Sequence, residues 1–348
     1  MRRASLPPLP VMAGGFAAAL LAATGALAHH SPAAYDMATQ VTIEGTVANF
    51  EWANPHAYVS LRETAAAGEE RVWLIELFSP SSMKQYGWTA TTLAVGDRIK
   101  VVANPGRNRA RNVAFLQTIE RSGAVLIDAR AVLGGASRPP PPGAATTSFS
   151  AQSLAGVWST LAGPALGQLL GGVANLPLTP KGAAAVAEFK DTANPGRDCV
   201  PFAAPVYMIL PVFRSIEIRS DAVVIDGEEG GVARTIHMNR ATHEGATASV
   251  LGDSVGRWDG AALVVDSTHF AEHRLGNGGG LPSSPAKHLV ERFELAPGGA
   301  ALTYTFTLED PEYLTTAVQG TSTWAYRPDV KFQPLECNLE NARRFLGD

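Results

Sequence analysis

Ala301-Leu302-Thr303-Tyr304-Thr305-Phe306-Thr307-Leu308-Glu309 alternates apolar and polar residues without a break. Leu302, Tyr304, Phe306 and Leu308 fall on one side, and Thr303, Thr305, Thr307 and Glu309 on the other. A period of two places the two sets on opposite faces of a β-strand with one face buried. Similar strand-like runs lie on both sides of it, at Phe213–Arg219, Ala222–Asp226, Ala233–Asn239, Ala248–Trp258, Ala261–Thr268, His288–Leu295 and Gln319–Tyr326. Leu154–Trp158 opens the series, and Asp226-Gly227, Asp259-Gly260 and Gly298-Gly299 mark turns within it. Thr179-Pro180 starts a short helix running to about Lys190, with Thr suited to the cap and Pro to the first turn. Roughly eight antiparallel strands with short links predict a barrel or a sandwich over residues 151–348.

Upstream, residues 134–150 contain four consecutive prolines among Gly, Ala, Ser and Thr. Such a stretch cannot build a core and reads as an extended linker. Before it, residues 29–133 carry five strand-like runs, at Val41–Val47, Ala57–Arg62, Val72–Phe78, Arg98–Val102 and Val113–Glu120. Gly45 within the first run predicts a bulge or sharp coil. A short helix is expected between the third and fourth runs, capped by Ser79, begun by Pro80 and closed by Gly87. Three strands, a helix and two strands is the order of an OB-type barrel. The fold class is therefore all-β: an OB-like five-stranded small barrel followed by an antiparallel barrel or sandwich. The opening Gly156-Val157-Trp158 makes the second unit similar to lipocalins.

The N-terminus reads as an export signal. Arg2 and Arg3 precede an uncharged run from Val11 to Leu27, and Ala26-Leu27-Ala28 places small residues where a signal peptidase cuts. Residues 1–28 are then a leader, and the expected location is the periplasm or outside the cell. With 46% hydrophobic and 17% charged residues, the chain can fill cores and is not disordered overall. Its net charge is −4 and it has no basic run, which argues against a nucleic-acid partner. No later apolar stretch reaches spanning length, so no stable membrane span is expected after cleavage. In an oxidising compartment Cys199 and Cys337 read as a disulfide.

Cleavage after Ala28 leaves His29-His30-Ser31 at the start. The α-amine and imidazole of His29 can chelate one metal ion, with His30 or His56 completing a nitrogen set that suits copper(II). Cleavage one residue earlier places a His third, another copper- and nickel-chelating arrangement. His56 itself lies in Glu51-Trp52-Ala53-Asn54-Pro55-His56-Ala57, where a turn joins two strands, and completing that turn is a sufficient role for it.

In the second unit His237, Arg257, Trp258, Asp266, Glu291 and Arg292 are polar or amphipathic groups within strands. On half-exposed strands such groups face water or pair across strands; pointed into a barrel, they would orient a small ligand. No nucleophile elbow, H-E-x-x-H helix or phosphate loop is read in the chain. The Gly-rich run 276–280 reads as a flexible loop. These features make a non-catalytic binding or accessory protein with a small-molecule ligand the first expectation, and copper handling through His29, His30 and His56 the second. The third is a hydrolase or isomerase using His237, Asp266 or Glu291.

Two family resemblances accompany these readings. His29-His30-Ser31 through Asp36, Ile43-Glu44-Gly45-Thr46-Val47, Trp52-Ala53-Asn54-Pro55-His56, Trp73, the Ser79-Pro80 helix with Gly87-Trp88, and Leu93 with Gly96-Asp97 resemble domain-of-unknown-function family 6152. That resemblance covers about residues 28 to 130; it implies export and a small β domain and brings no activity. Asp198-Cys199-Val200-Pro201, Arg234-Thr235-Ile236-His237-Met238, Gly256-Arg257-Trp258-Asp259-Gly260, Val290-Glu291-Arg292-Phe293 and Glu309-Asp310-Pro311 resemble a second uncharacterised secreted bacterial family. Its usual Pro-Arg-Met after the first Cys is replaced here by Ala204-Pro205-Val206-Tyr207-Met208, which puts any role of that Arg in doubt.

Overall fold

The computed structural model describes residues 34–64, 70–133, 149–160, 162–229 and 232–344. The expected leader, His29, His30 and the linker up to residue 148 lie outside the described residues.

The first unit runs β1 (Val41–Glu51), β2 (Tyr58–Thr64), β3 (Glu70–Glu76), α1 (Pro80–Lys84), β4 (Arg98–Pro105), β5 (Val113–Arg121), β6 (Ala124–Asp128) and α2 (Ala129–Leu133). Its strands lie in the order β3-β2-β1-β4-β5-β6. Parallel pairing of β3 with β5 closes the first five into the OB-like barrel. The inward residues Ile43, Val47, Val59, Leu61, Ile75, Val101 and Leu116 fill it. At Gly45 a β-carbon would collide with the Arg62 carbonyl, so β1 can coil tightly over β2 only with glycine there. The bulge itself falls just beyond, where the β1–β2 register shifts between Val47 and Asn49. Helix α1 begins as its caps dictate: Ser79 Oγ accepts from the Ser82 amide at 3.2 Å and Pro80 occupies the first turn. Strand β6 is absent from the sequence reading. It follows Ser122 (φ 54°) and Gly123 (φ 79°), whose left-handed backbone makes a tight hairpin that the Ser-Gly pair could have signalled.

The second unit runs β7 (Gly156–Thr160), α3 (Pro164–Leu166), α4 (Pro180–Glu188), α5 (Val206–Ile209), β8 (Phe213–Ile218), β9 (Ala222–Gly227), β10 (Arg234–His237), β11 (Asp253–Asp259) and β12 (Ala262–Thr268). It continues with β13 (His273–Gly278), β14 (Leu281–Ser283), β15 (His288–Leu295), β16 (Ala301–Glu309), β17 (Val318–Tyr326) and α6 (Leu339–Ala342). Nine strands close into a barrel in the order β10-β11-β12-β15-β16-β17-β7-β8-β9. Eight of its neighbour pairs are antiparallel, while the closing β10–β11 pair is parallel.

The lumen, where a ligand was expected from the sequence, is filled by side chains. Phe293, Tyr304 and Trp324 are fully buried and pack ring against ring, with the Phe293 and Tyr304 rings 5.0 Å apart and those of Tyr304 and Trp324 5.8 Å apart, while the buried Trp158 ring packs on Tyr326. The Arg214 guanidinium lies over the Tyr207 and Trp324 rings. The Gly-rich run 276–280 is a packed hairpin of β13 and β14 rather than a flexible loop, because a β-carbon at Gly278 or Gly279 would strike the carbonyls of Leu169 or Leu170. Cys199 and Cys337 form a disulfide with a Cα–Cα distance of 5.8 Å. No described helix is long and apolar enough to cross a membrane.

Candidate functional site at the seam of the barrels

The site begins at the turn after β1. Backbone bonds from Ala57 N to Phe78 O (3.1 Å) and from Leu77 N to Ala57 O (2.9 Å) carry the chain past β3 and set His56 against it. His56 Nδ1 lies 2.8 Å from Leu77 O and 3.2 Å from Glu76 Oε1. The Tyr35 hydroxyl donates to the other Glu76 oxygen. Tyr35, Asn54, His56 and Glu76 are all buried. Three polar side chains thus form one line, Tyr35–Glu76–His56, and Glu76 fixes the imidazole from behind.

The second barrel meets this turn with Glu228 and Glu229, which follow β9. Glu228 is fully buried and accepts from Lys84 Nζ at 2.6 Å, Ser81 Oγ at 3.2 Å and the Gln333 amide at 2.9 Å. The Asn54 amide group donates to the carbonyls of Glu228 (3.1 Å) and Leu335 (2.9 Å). Glu229 lies in the seam itself. Burial pushes its carboxyl up to about 7, while the positive fields of His56 and Arg214 pull the other way. A cavity of about 60 Å³ opens here, lined by Asn54 and Pro55 from one side and by Cys199, Tyr207, Glu229 and Cys337 from the other. A water needs roughly 10–15 Å³ of such space and a drug-sized ligand about 300 Å³ or more. The cavity is therefore too small for a drug-sized molecule unless the barrels part, and its lining, which sets Pro201, Phe202, Leu210 and Leu275 beside Asn54 and Glu229, is largely apolar.

Among the described residues no three His, Cys, Asp or Glu side chains are set to hold a metal ion by themselves. Of the metal ligands expected from the sequence, His56 is at the seam, whereas His29 and His30 lie outside the described residues.

The six expected ligand-binding residues do not form one site: Arg257, Trp258 and Asp266 line a common cleft on the outer wall, and His237, Glu291 and Arg292 are not part of it. Glu291 points into the second barrel, where Arg234 Nη1 lies 2.8 Å from Oε1 and the Tyr304 hydroxyl donates at 2.8 Å. Asp266 stands on the outer wall, since its β12 neighbours Val265 and Ser267 face inward. The barrel wall thus separates it from Glu291, and the two cannot act as one acid–base pair. Arg292 is outside, 2.7 Å from Asp259 and 3.2 Å from Glu294. Arg257 and Trp258 are exposed near the Asp259 hairpin, and His237 is half-buried at the end of β10.

Sequence reasoning missed Tyr35, Glu76, Glu228 and Glu229. Glu76 sat inside a stretch read only as a strand, and the glutamates followed a Gly read as a turn. The sequence reading also passed over Gly252-Asp253-Ser254-Val255-Gly256, which spells the G-x-S-x-G pattern. Ser254 lies within β11, buried, with its oxygen 3.0 Å from both Ser267 Oγ and Arg234 Nη2. A nucleophile elbow needs an exposed serine at a strand-to-helix turn, so this is not one.

No curated protein matches the chain. One family model does, and it takes in Tyr35, Asn54, His56 and Glu76 but stops short of the second barrel. Residues 18–114 match DUF6152, a family of unknown function.

Proposed function

We propose that this protein is an exported, envelope-located binding protein whose ligand is a copper(II) ion held at the seam by His56 and the mature N-terminus. The observation that carries the reading is the anchoring of His56. An imidazole that ligates a metal usually donates its other nitrogen to a carbonyl or carboxylate, which fixes the ring and its tautomer. His56 Nδ1 meets both, at Leu77 O and Glu76, and so presents Nε2 as the ligating nitrogen. Glu229 adds a carboxylate at the same seam, near enough to feel the charge of His56.

The described residues cannot complete such a site, so the reading requires ligands from outside them. Reach supports it. Tyr35 is tied to Glu76, and His29 is six residues upstream, a span of at most about 20 Å for extended chain.

The test is copper(II) titration of protein matured in the periplasm and purified without chelators, read by native mass and by electron paramagnetic resonance. One copper per chain is expected. His56→Ala and His29→Ala should each weaken binding at least about a hundredfold, since each removes a ligand. Copper affinity unchanged in His56→Ala would overturn the assignment.

A further inference from the structure

A second ionisable cluster lies on the outer wall of the second barrel, away from the seam. Loop residues 238–252 connect β10 to β11 across this wall. The loop is pinned at its start by Met238 N to Asp221 O (2.8 Å) and near its end by Ser249 N to His269 O (3.0 Å). Between these pins residues 239–248 are mostly exposed. Among the described residues, only Arg240 and His243 hold that span to the barrel through side-chain hydrogen bonds and ion pairs, Arg240 by bonding Asp253.

His243 is bracketed. Its Nδ1 lies 2.6 Å from Asp253 Oδ2 and its Nε2 lies 3.0 Å from Asp266 Oδ1. The second oxygen of Asp266 meets His288 Nε2 at 2.9 Å, and His288 Nδ1 is 3.3 Å from Glu309. A neutral imidazole has one N–H and one lone pair, and a lone pair facing a carboxylate oxygen is repulsive. Both contacts of each ring are favourable only when the ring is an imidazolium. The remaining group beside His243 is His269, whose ring centroid is 6.0 Å away and whose Nδ1 bonds Thr268. With both imidazoles charged, Arg240, His243 and His288 balance Asp253, Asp266 and Glu309. With both neutral, the same groups carry a net charge of −2.

We propose that residues 239–248 form a pH-sensitive flap, fastened to the barrel wall by Arg240 and His243 and loosened when His288 loses the proton with which it holds Asp266 in place against His243. The flap walls a cleft of about 790 Å³ between Arg240 and His243 on one side and Arg257, Trp258 and Val264 on the other. That space falls within the range of small-molecule sites. Loosening the flap opens the cleft while leaving the barrel ladder intact, because no strand pairing depends on the loop. The direction of titration agrees. Burial disfavours the charged form of His288, but its bonds to Asp266 and Glu309 outweigh this and hold its pKa above the ordinary imidazole value of 6.5. Burial also acts against the carboxylate of Asp266, yet the two imidazoles hold its pKa below the usual range. The clasp is therefore complete below about pH 6.5 and is lost as pH rises through the raised value for His288.

The test is amide hydrogen exchange on the whole protein at pH 5.5 and 8.5, expressed as protection factors to remove the intrinsic pH effect. Protection of the Ala246 amide, which bonds His243 O within the flap, should fall at least about tenfold at the higher pH, with β12 and β15 unchanged. His243→Gln should show the low protection at both values. Wild-type protection that does not change with pH, or a pH dependence that survives in His243→Gln, would overturn the proposal.

Discussion

Arg234 and Glu291 face each other inside the second barrel, both almost wholly removed from water. Arg234 also donates to Ser254 and Ser267, and Glu291 accepts from Tyr304, so the pair is embedded in a hydrogen-bonded cluster. Removing one charge strands the other, at a cost of about 3–5 kcal/mol. Glu291→Ala is expected to lower unfolding stability by that amount in urea, whereas Arg234→Met with Glu291→Leu should recover most of the loss. A double variant as unstable as the single one would mean that the cluster shapes the core beyond its charges. Glu291 also shows what residue type alone conceals. It shares a strand face with Leu289 and Phe293, and a charge in phase with apolar neighbours signals a buried pair sooner than a surface ligand. Its partner Arg234, far away in sequence, could not be named from any local pattern. Glu229 gives a second residue-scale prediction. Its ordinary pKa of 4.5 rises to about 7 on burial, so the folded chain binds its proton more tightly than the unfolded chain. This contribution falls as pH rises from about 4.5 to 7 and is flat above. Glu229→Gln should therefore gain stability relative to wild type at pH 8 and little at pH 4; equal differences at the two values would refute a buried titrating carboxyl.

Helix α1 illustrates the same division at the scale of an element. Its position could be read from Ser79, Pro80 and Gly87, because capping is local chemistry. Its role could not, because its outward face meets a barrel more than a hundred residues away. Ser81 Oγ accepts from Phe213 N at 2.9 Å and donates to Glu228, Ser82 Oγ donates to Pro211 O at 2.9 Å, and Gln85 exchanges bonds with Ser159 and Thr160. Helix α1 and the Gln85 that caps its end thus act as the plug between the barrels. Ser81→Ala leaves a buried amide and a buried carboxylate each short of a partner, which costs about 1–3 kcal/mol. The loss should appear as a lower melting temperature with the secondary structure unchanged in circular dichroism. An unchanged melting temperature would mean that Lys84 and the Gln333 amide suffice to secure Glu228. The strands divide likewise. Hairpin pairs and their alternation were legible, whereas the parallel closures β3–β5 and β10–β11 join strands whose pairing leaves no local signature.

Over the whole molecule, the C-terminal segment is the strap that holds the two barrels in register. After β17 it crosses the second barrel, reaches the seam at Cys337 and continues onto the first barrel. There Asn338 N bonds Asn54 O at 2.8 Å, Arg344 pairs with Glu51 at 2.8 Å, and its guanidinium sits 4.4 Å from the centre of the Tyr58 ring. The disulfide fixes this strap to Cys199 exactly where it passes from one barrel to the other. It closes a loop spanning 138 residues, and in the chain-entropy model a crosslink of that span contributes about 5 kcal/mol by restricting the unfolded chain. Replacing both Cys199 and Cys337 by Ser should lose most of that stability in chemical denaturation. A local effect should accompany it, because the strap's remaining anchors are a few hydrogen bonds and the exposed or partly exposed ion pairs Arg343–Asp198 and Arg344–Glu51, each weak alone. Limited proteolysis should then remove residues beyond Gln333 from the double variant at a concentration of protease that leaves the oxidised protein whole. Both barrels should survive that cut, since neither has a strand in the strap. If the strap stays protected although the global stability has fallen, then its contacts with Asn54, Glu51 and Tyr58 suffice to hold the seam. The disulfide would in that case act only on the unfolded chain.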